Sequence, residues 1–253
     1  MRLLVTNDDG LDSPGIKALA AAFGAVAEVI VVAPERPQSA CSHAVTLHKP
    51  LRVRQVGQEP GVTYWTANGT PADCVIIGLD RLKQTPPDLV LSGINEGWNL
   101  GEDIIYSGTV AAAVEAALHR VPSMALSAAP EAAPNWPRLA QFSLELVRRV
   151  QQIALPTDTC LAVNFPPIEK EDPKGIIVSR PGRRNYPTTI EARVDPRGQP
   201  YYWLGVEKPE DSAEPRTDVW CVNNGYLSVT PLGLELTRTQ AMEPLGSLEG
   251  GWV

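Results

Sequence analysis

The sequence predicts an α/β protein: a mostly parallel sheet with helices on both faces, followed by a β-rich portion that carries an extended hairpin arm. Three observations predict it. Short apolar runs of strand length alternate with helix patterns through residues 1–165. The texture changes at Phe165-Pro166-Pro167, beyond which Pro173, Pro181, Pro187, Pro196, Pro200, Pro209 and Pro215 punctuate strand-like segments. Polar, glycine-containing clusters fall directly after the strand-like runs, where open α/β sheets bind their ligands. The chain thus divides into a core over 1–165 and a C-terminal portion over 166–253.

Leu3-Leu4-Val5-Thr6 is an apolar run of buried-strand length. Ser13-Pro14 opens a helix, with Ser13 as N-cap and Pro14 in the first helical position. Ile16, Leu19, Ala20 and Phe23 give that helix one apolar face, and Gly24 is expected to stop it. Val29 to Ala33 reads as a second buried strand. Thr70, Pro71 and Asp73 carry the signature of a capped helix start, Asp73 standing at the third position. Leu89 to Ser92 is a strand, followed by a Gly-rich loop to Gly108. Residues 109–120 read as a helix with His119 and Arg120 at its C-terminal end and Pro122 beyond, and Leu139 to Ile153 as another with Arg148 and Arg149 late in it. Cys160 to Asn164 is a further strand. The turn signal Asp195-Pro196-Arg197-Gly198 lies between a run ending at Val194 and the aromatic run Tyr201-Tyr202-Trp203-Leu204, which predicts the hairpin arm. Tyr226 to Thr230 alternates as a strand does, and residues 246–253 are expected to be loose.

Composition excludes several classes. With 253 residues, 43% apolar and 20% charged, the chain is an ordinary globular one. It is long enough to bury roughly three quarters of its unfolded surface. No apolar run approaches the roughly 18 residues of a membrane span. The acidic Asn7-Asp8-Asp9 comes too early for a signal peptide. Twenty-two Lys plus Arg against 29 Asp plus Glu give a net charge of −7 with no basic run, so duplex nucleic acid is not an expected partner. Cys41, Cys74, Cys160 and Cys221 form no CxxC pair, and the three His are His43, His48 and His119, so a zinc site of usual spacing is not expected. Such scattered cysteines read as reduced thiols of a cytoplasmic protein.

The chemistry-bearing residues fall in clusters. Asn7-Asp8-Asp9-Gly10 follows the first strand. Two adjacent carboxylates repel each other, and a hard divalent cation, Mg2+ or Mn2+, relieves that repulsion with oxygen ligands. Ser39, in the loop Gln38-Ser39-Ala40-Cys41-Ser42-His43, offers a hydroxyl oxygen, and His43 offers a proton donor. In Ser92 to Gly101 the glycines allow close backbone approach, while Asn95 and Asn99 are neutral oxygen donors. Tyr106-Ser107-Gly108-Thr109 enters an Ala-rich helix, whose free amides and hydroxyls suit a phosphate. GxGxxG, the Walker phosphate loop, GxSxG and HExxH are all absent. Oxygen ligands beside a phosphate-sized anion site suit phosphate-ester hydrolysis. The same loops would also serve a module that binds a nucleotide without chemistry. The Asn7-Asp8-Asp9 order lacks the Asp-x-Asp spacing of haloacid-dehalogenase phosphatases.

These motifs occur in an order that resembles the SurE (stationary-phase survival protein) nucleotidases. The resemblance runs from Thr6-Asn7-Asp8-Asp9-Gly10 through Val32-Ala33-Pro34, Gln38-Ser39, Gly69 to Cys74, Ser92-Gly93-Ile94-Asn95 and Tyr106 to Ala112, and on to Tyr201-Tyr202-Trp203 and Ser228 to Leu232. It implies a Rossmann-like core and a C-terminal arm exchanged between subunits of a homodimer or homotetramer. The implied activity is metal-dependent hydrolysis of nucleoside 5′-monophosphates, with 3′-nucleotides and short polyphosphate as further substrates. One divalent cation per subunit, Mg2+ or Mn2+, would rest on Asp8, Asp9, Ser39 and Asn95, of which Asp8, Asp9 and Asn95 are also the implied catalytic residues. Ser107, Gly108 and Thr109, with Asn99 beside them, would take the phosphate. The chain departs from the common Gly-Ala-Ser-Asn at Ala40-Cys41-Ser42-His43 and carries Glu96 and Trp98 around Gly97.

Overall fold

In the structure, a computed structural model, residues 1–129, 135–168, 172–186, 188–206 and 209–248 are described. Strand β1 (Arg2–Thr6) is an interior strand of a nine-stranded sheet. Its residues alternate between two cores. Leu3 and Val5 face α1 (Pro14–Gly24), whereas Leu4 faces the opposite side. The expected cap at Ser13 holds in position only: Pro14 begins the helix, but the Ser13 side chain makes no capping bond. Helix α1 ends at Gly24, as expected, but without a left-handed turn. The cap residue is Ala25 in a right-handed conformation. Gly24 is required by packing, because a Cβ there would lie 2.4 Å from Val62 Cγ2.

Beyond β2 (Glu28–Pro34), the sequence pattern did not reveal the antiparallel hairpin of β3 (Val53–Glu59) and β4 (Val62–Ala67). Helix α2 (Pro71–Arg81) has the expected capping box, Thr70 Oγ1 accepting the Asp73 N–H at 3.1 Å and Asp73 Oδ2 accepting that of Thr70 at 2.9 Å. Next come β5 (Leu89–Glu96), the short α3 (Asp103–Tyr106), α4 (Gly108–Leu118) and β6 (Ser123–Ala128). Helix α5 (Trp136–Val150) begins three residues before the expected Leu139. Asn135 caps it by accepting the Arg138 N–H, and Pro137 fits its first turn. After β7 (Thr159–Asn164) the chain forms β8 (Ile176–Val178), β9 (Arg184–Asn185), β10 (Thr188–Val194), β11 (Pro200–Val206), β12 (Glu210–Asp211), α6 (Asp218–Asn223), β13 (Leu227–Gly233) and α7 (Met242–Leu245).

The sheet order is β3-β4-β2-β1-β5-β6-β7-β13-β8. The run from β4 to β7 is parallel, and β13 closes it antiparallel to β7. Helices α1 and α5 pack together on one face, α2 and α4 on the other. This is the predicted α/β architecture with extra C-terminal strands. The predicted arm is present: β10 and β11 pair only with each other among the described residues, around a turn closed by the Gly198 N–H to Asp195 O at 2.9 Å. Of the expected loose tail, residues 246–248 form a 3-10 turn, and 249–253 lie outside the described residues. Among the described residues no helix is long and apolar enough to cross a membrane.

Candidate active site

The parallel run of strands brings the ends of β1, β2 and β5 and the start of α4 to one rim of the sheet. The turn after β1 is fixed by Asn7, fully buried, whose Nδ2 donates to Gly10 O at 2.9 Å while its Oδ1 accepts the Gly10 N–H at 3.2 Å. Asp8 and Asp9 project from that turn, and the Gln38 N–H, donating to Asp8 O at 2.8 Å, draws in the loop that carries Ser39. Strand β5 reaches the rim through a bulge between Ser92 and Asn95. Bulges re-aim side chains, and this one turns Asn95 toward the aspartates. Gly93 is indispensable in it: φ is +131°, and a Cβ would meet Leu126 O at 2.3 Å. At α4, Ser107 Oγ caps the helix by accepting the Val110 N–H at 3.0 Å.

These elements enclose a cleft of about 380 Å³ lined by Asp8, Asp9, Ser39, Asn95, Asn99 and Ser107. The same cleft takes in Trp98, Asp103, Tyr106, Arg184 and Tyr186. Two of the expected phosphate residues sit behind its surface. Thr109 is fully buried, and its hydroxyl donates to Asp8 Oδ1. Gly108 lies so close to the loop and to Asp8 that a Cβ would stand 2.8 Å from Cys41 Sγ and 3.0 Å from Asp8 Cβ. Asn99 is buried, with its Nδ2 on Ser127 Oγ at 2.8 Å and its backbone N–H on Asn164 Oδ1 at 2.9 Å. His43 does not line the cleft. Its Nε2 lies 2.6 Å from Glu115 Oε2 on α4. A second cavity of about 320 Å³ lies at the other rim, under the starts of β5, β6 and β7, and contains none of these residues.

Electrostatics single out the aspartates. Burial pushes the Asp8 carboxyl up, opposed chiefly by the Thr109 hydroxyl. Asp9 is pushed up to about 6, first by burial and then by the charge of Asp8. Paired, desolvated carboxylates call for a cation. Among the described residues no group of three His, Cys, Asp or Glu could hold one, so a cation here would rest on two carboxylates plus neutral oxygens. Asn95 supplies one of these: its Nδ2 is committed to Gly97 O at 2.8 Å, which leaves Oδ1 for the cleft. Ser39 supplies a hydroxyl. An all-oxygen set of this kind fits a hard divalent ion such as Mg2+ or Mn2+.

Sequence reasoning missed the far wall. Arg184 bridges Asp103 at 2.7 Å and Asp211 at 2.9 Å, and Tyr186 donates its hydroxyl to Asp103 Oδ2 at 2.9 Å. Trp98 is anchored by its indole N–H on Phe165 O at 2.7 Å. Apart from the Arg183-Arg184 doublet, no local signal pairs Arg184 with Asp103.

The chain matches the model of the family described as Survival protein SurE over residues 3–188. It is 45% identical over 249 residues to the 5′-nucleotidase SurE of Synechococcus sp., covering 97% of this chain and 96% of that protein. Against the 5′-nucleotidase SurE of Moorella thermoacetica the identity is 45% over 248 residues, with 98% and 95% covered. The crystal structure of the SurE protein from Aquifex aeolicus superposes with a TM-score of 0.86 at 43% identity, over 99% of this chain and 100% of that one.

Proposed function

The chain belongs to the SurE family, and from that premise we propose that it is a metal-dependent 5′-nucleotidase. It hydrolyses nucleoside 5′-monophosphates to nucleoside and phosphate, with 3′-nucleotides and short polyphosphate as further substrates. The observation that carries this reading is the single cleft onto which Asp8, Asp9, Ser39, Asn95 and the cap residue Ser107 all open. The names of the relatives support the substrate class.

Asp8, Asp9, Ser39 and Asn95 hold one divalent cation per subunit, Mg2+ or Mn2+, which supplies Lewis acidity toward a phosphoryl oxygen and toward water. The protein's own groups do the rest. Thr109 fixes the Asp8 carboxylate from behind. Ser107 accepts from Val110 while its own proton is free to donate to a phosphoryl oxygen. The first amides of α4, at Gly108 and Thr109, add partial positive charge where phosphoryl charge is redistributed. Asn99 braces the loop between Asn95 and α3. The aromatic residues Trp98, Tyr106 and Tyr186 border the cleft, where the nucleoside must lie once its phosphate is at α4.

The same reading takes the protein as a cytoplasmic homodimer or homotetramer. Four cysteines without disulfides suit that compartment. The arm displays Ile190, Val194, Tyr202, Trp203 and Leu204 to solvent, a two-sided apolar ribbon of the kind that subunit exchange covers. The testing experiment is phosphate release from 5′- and 3′-nucleoside monophosphates and short polyphosphate with Mn2+, Mg2+ or EDTA. Release that needs the metal and favours 5′-monophosphates is expected. Nucleotide binding without release, from the folded protein, would replace the enzyme by a binding module.

A further inference from the structure

The loop between β2 and β3, residues 35–52, contains no helix or strand, yet it must present Ser39 with ligand accuracy. A ligand on an irregular loop is effective only when the loop is held, because ordering it costs roughly 1–2 kcal/mol per residue. The backbone here resists the required shape. Ala40 and Ser42 adopt φ of 53° and 51°, a region that non-glycine residues rarely occupy. Backbone ties restrain it, among them Gln38 N–H to Asp8 O at 2.8 Å, Ser42 N–H to Tyr106 O at 3.0 Å, Thr46 N–H to Asp73 Oδ1 at 2.9 Å, and the Thr70 hydroxyl to Ala44 O at 2.7 Å.

The tie that joins a side chain of this loop to α4 is different in kind. His43 meets Glu115, whose carboxylate is almost wholly buried on α4, at 2.6 Å. The other oxygen of Glu115 lies 3.1 Å from Nε2 of His119 at the end of the same helix. Helix α4 is also the element whose first turn cradles Asp8. One rigid body therefore orients the carboxylate from its N-terminus and grips the Ser39 loop from its middle.

We propose that His43 and Glu115 form a positioning pair, which holds the Ser39 loop against α4 and thereby sets affinity for the divalent cation without touching cation or substrate. The pair rests on the metal-dependent reading above. His43 lies outside the cleft, so its effect passes through Ser39. Glu115 keeps His119 as a partner when His43 is removed, so its buried charge stays compensated and the fold survives the change.

The test is Mn2+ binding by calorimetry, without nucleotide, on the full chain and on His43→Ala and His43→Gln, with melting temperature and kcat at saturating Mn2+ alongside. A hydrogen bond to a charged group holds the docked loop by a margin worth about tenfold in population. His43→Ala is therefore expected to bind Mn2+ about tenfold more weakly. His43→Gln, whose amide can donate to Glu115, recovers most of the loss, and both variants keep a near-wild-type melting temperature. Turnover at saturating Mn2+ stays within about twofold, which separates positioning from catalysis. Unchanged Mn2+ affinity in His43→Ala, or a loss that His43→Gln does not repair, overturns the pair. A large fall in kcat at saturating metal overturns it in favour of a catalytic His43. A wild-type chain that binds no Mn2+ and releases no phosphate overturns the metal-dependent reading, and the pair's role with it.

Discussion

Removing one hydroxyl from the back of the cleft tests the arrangement most directly. Thr109→Val preserves the shape of a fully buried side chain and deletes the donor to Asp8 Oδ1. Asp8 is only 7% exposed, and water has little access to replace that donor. The Thr109 hydroxyl is the largest influence opposing the upward push of burial on the Asp8 carboxyl. A hydrogen bond to a charged group contributes about 1.5–3 kcal/mol. That is about 10- to 150-fold in an equilibrium or rate constant. Without the bond, Asp8 loses both its orientation and part of the support for its charge, so the variant should bind Mn2+ more weakly and fall by a similar factor in kcat/KM on a nucleoside 5′-monophosphate. Thr109→Ser keeps the hydroxyl and should stay within about threefold of wild type. The assays are Mn2+ calorimetry and phosphate release, with urea unfolding to confirm that each variant is folded. A folded Thr109→Val that matches wild type in Mn2+ affinity and in kcat/KM would refute the claim that this hydroxyl sets the Asp8 carboxylate.

Three further predictions follow from other parts of the molecule. Gly93→Ala forces a Cβ to 2.3 Å from Leu126 O at φ +131°, and should lower stability by about 3 kcal/mol or more in urea unfolding. The Glu115 carboxyl is held below its usual 4.5, first by the hydrogen bond from His43. The fold favours its charged form, so the stability it contributes is complete above pH 4.5 and disappears as the pH falls through the lowered folded value. Glu115→Gln should therefore unfold at lower urea than wild type at pH 7, and the two midpoints should converge in acid. Trp203→Glu places a charge on the arm's exposed face. If the arm joins subunits as proposed, the substitution should reduce the oligomer measured by light scattering while leaving the far-UV circular dichroism intact, because the ribbon pairs with no other described strand.

What was legible in the sequence was local. Leu3 to Thr6 reads as a buried strand because four apolar or β-branched residues stand together. Thr70 with Asp73 is a cap because both partners of the box lie three residues apart. The turn at Asp195 to Gly198 announces the arm by its residue types. The clustering of Asp8, Asp9, Ser39 and Asn95 followed from their position after strands. Features that depend on distant partners stayed hidden. Strand β6, Ser123 to Ala128, is buried throughout but sets only Met124 and Leu126 among Ser and Ala, so it lacks β-branched bulk and a polar face to alternate with. Gly24 reads as a stop signal, whereas the demand on it comes from Val62 on another strand. Thr109 reads as a phosphate ligand at a helix start, but the turn after β1 places Asp8 within reach of its hydroxyl. Arg184 and Asp103 are 81 residues apart in the chain, with β6, β7 and β8 between them.

Apart from the far wall that carries Arg184 and Tyr186, every segment that contributes to the cleft leaves the main sheet, or enters α4, at the same rim. The opposite rim, where β5, β6 and β7 begin, bears Asp88, Arg120 and the exposed Ile153 and Leu155 around a cavity of its own. None of the residues proposed for the nucleotidase chemistry lies on that side. Loops there are free to change in length and composition over evolutionary time without disturbing a ligand or a hydrogen bond of the cleft. The same asymmetry has a practical use: a tether placed near Thr157 would fix the protein to a surface with its chemistry facing outward.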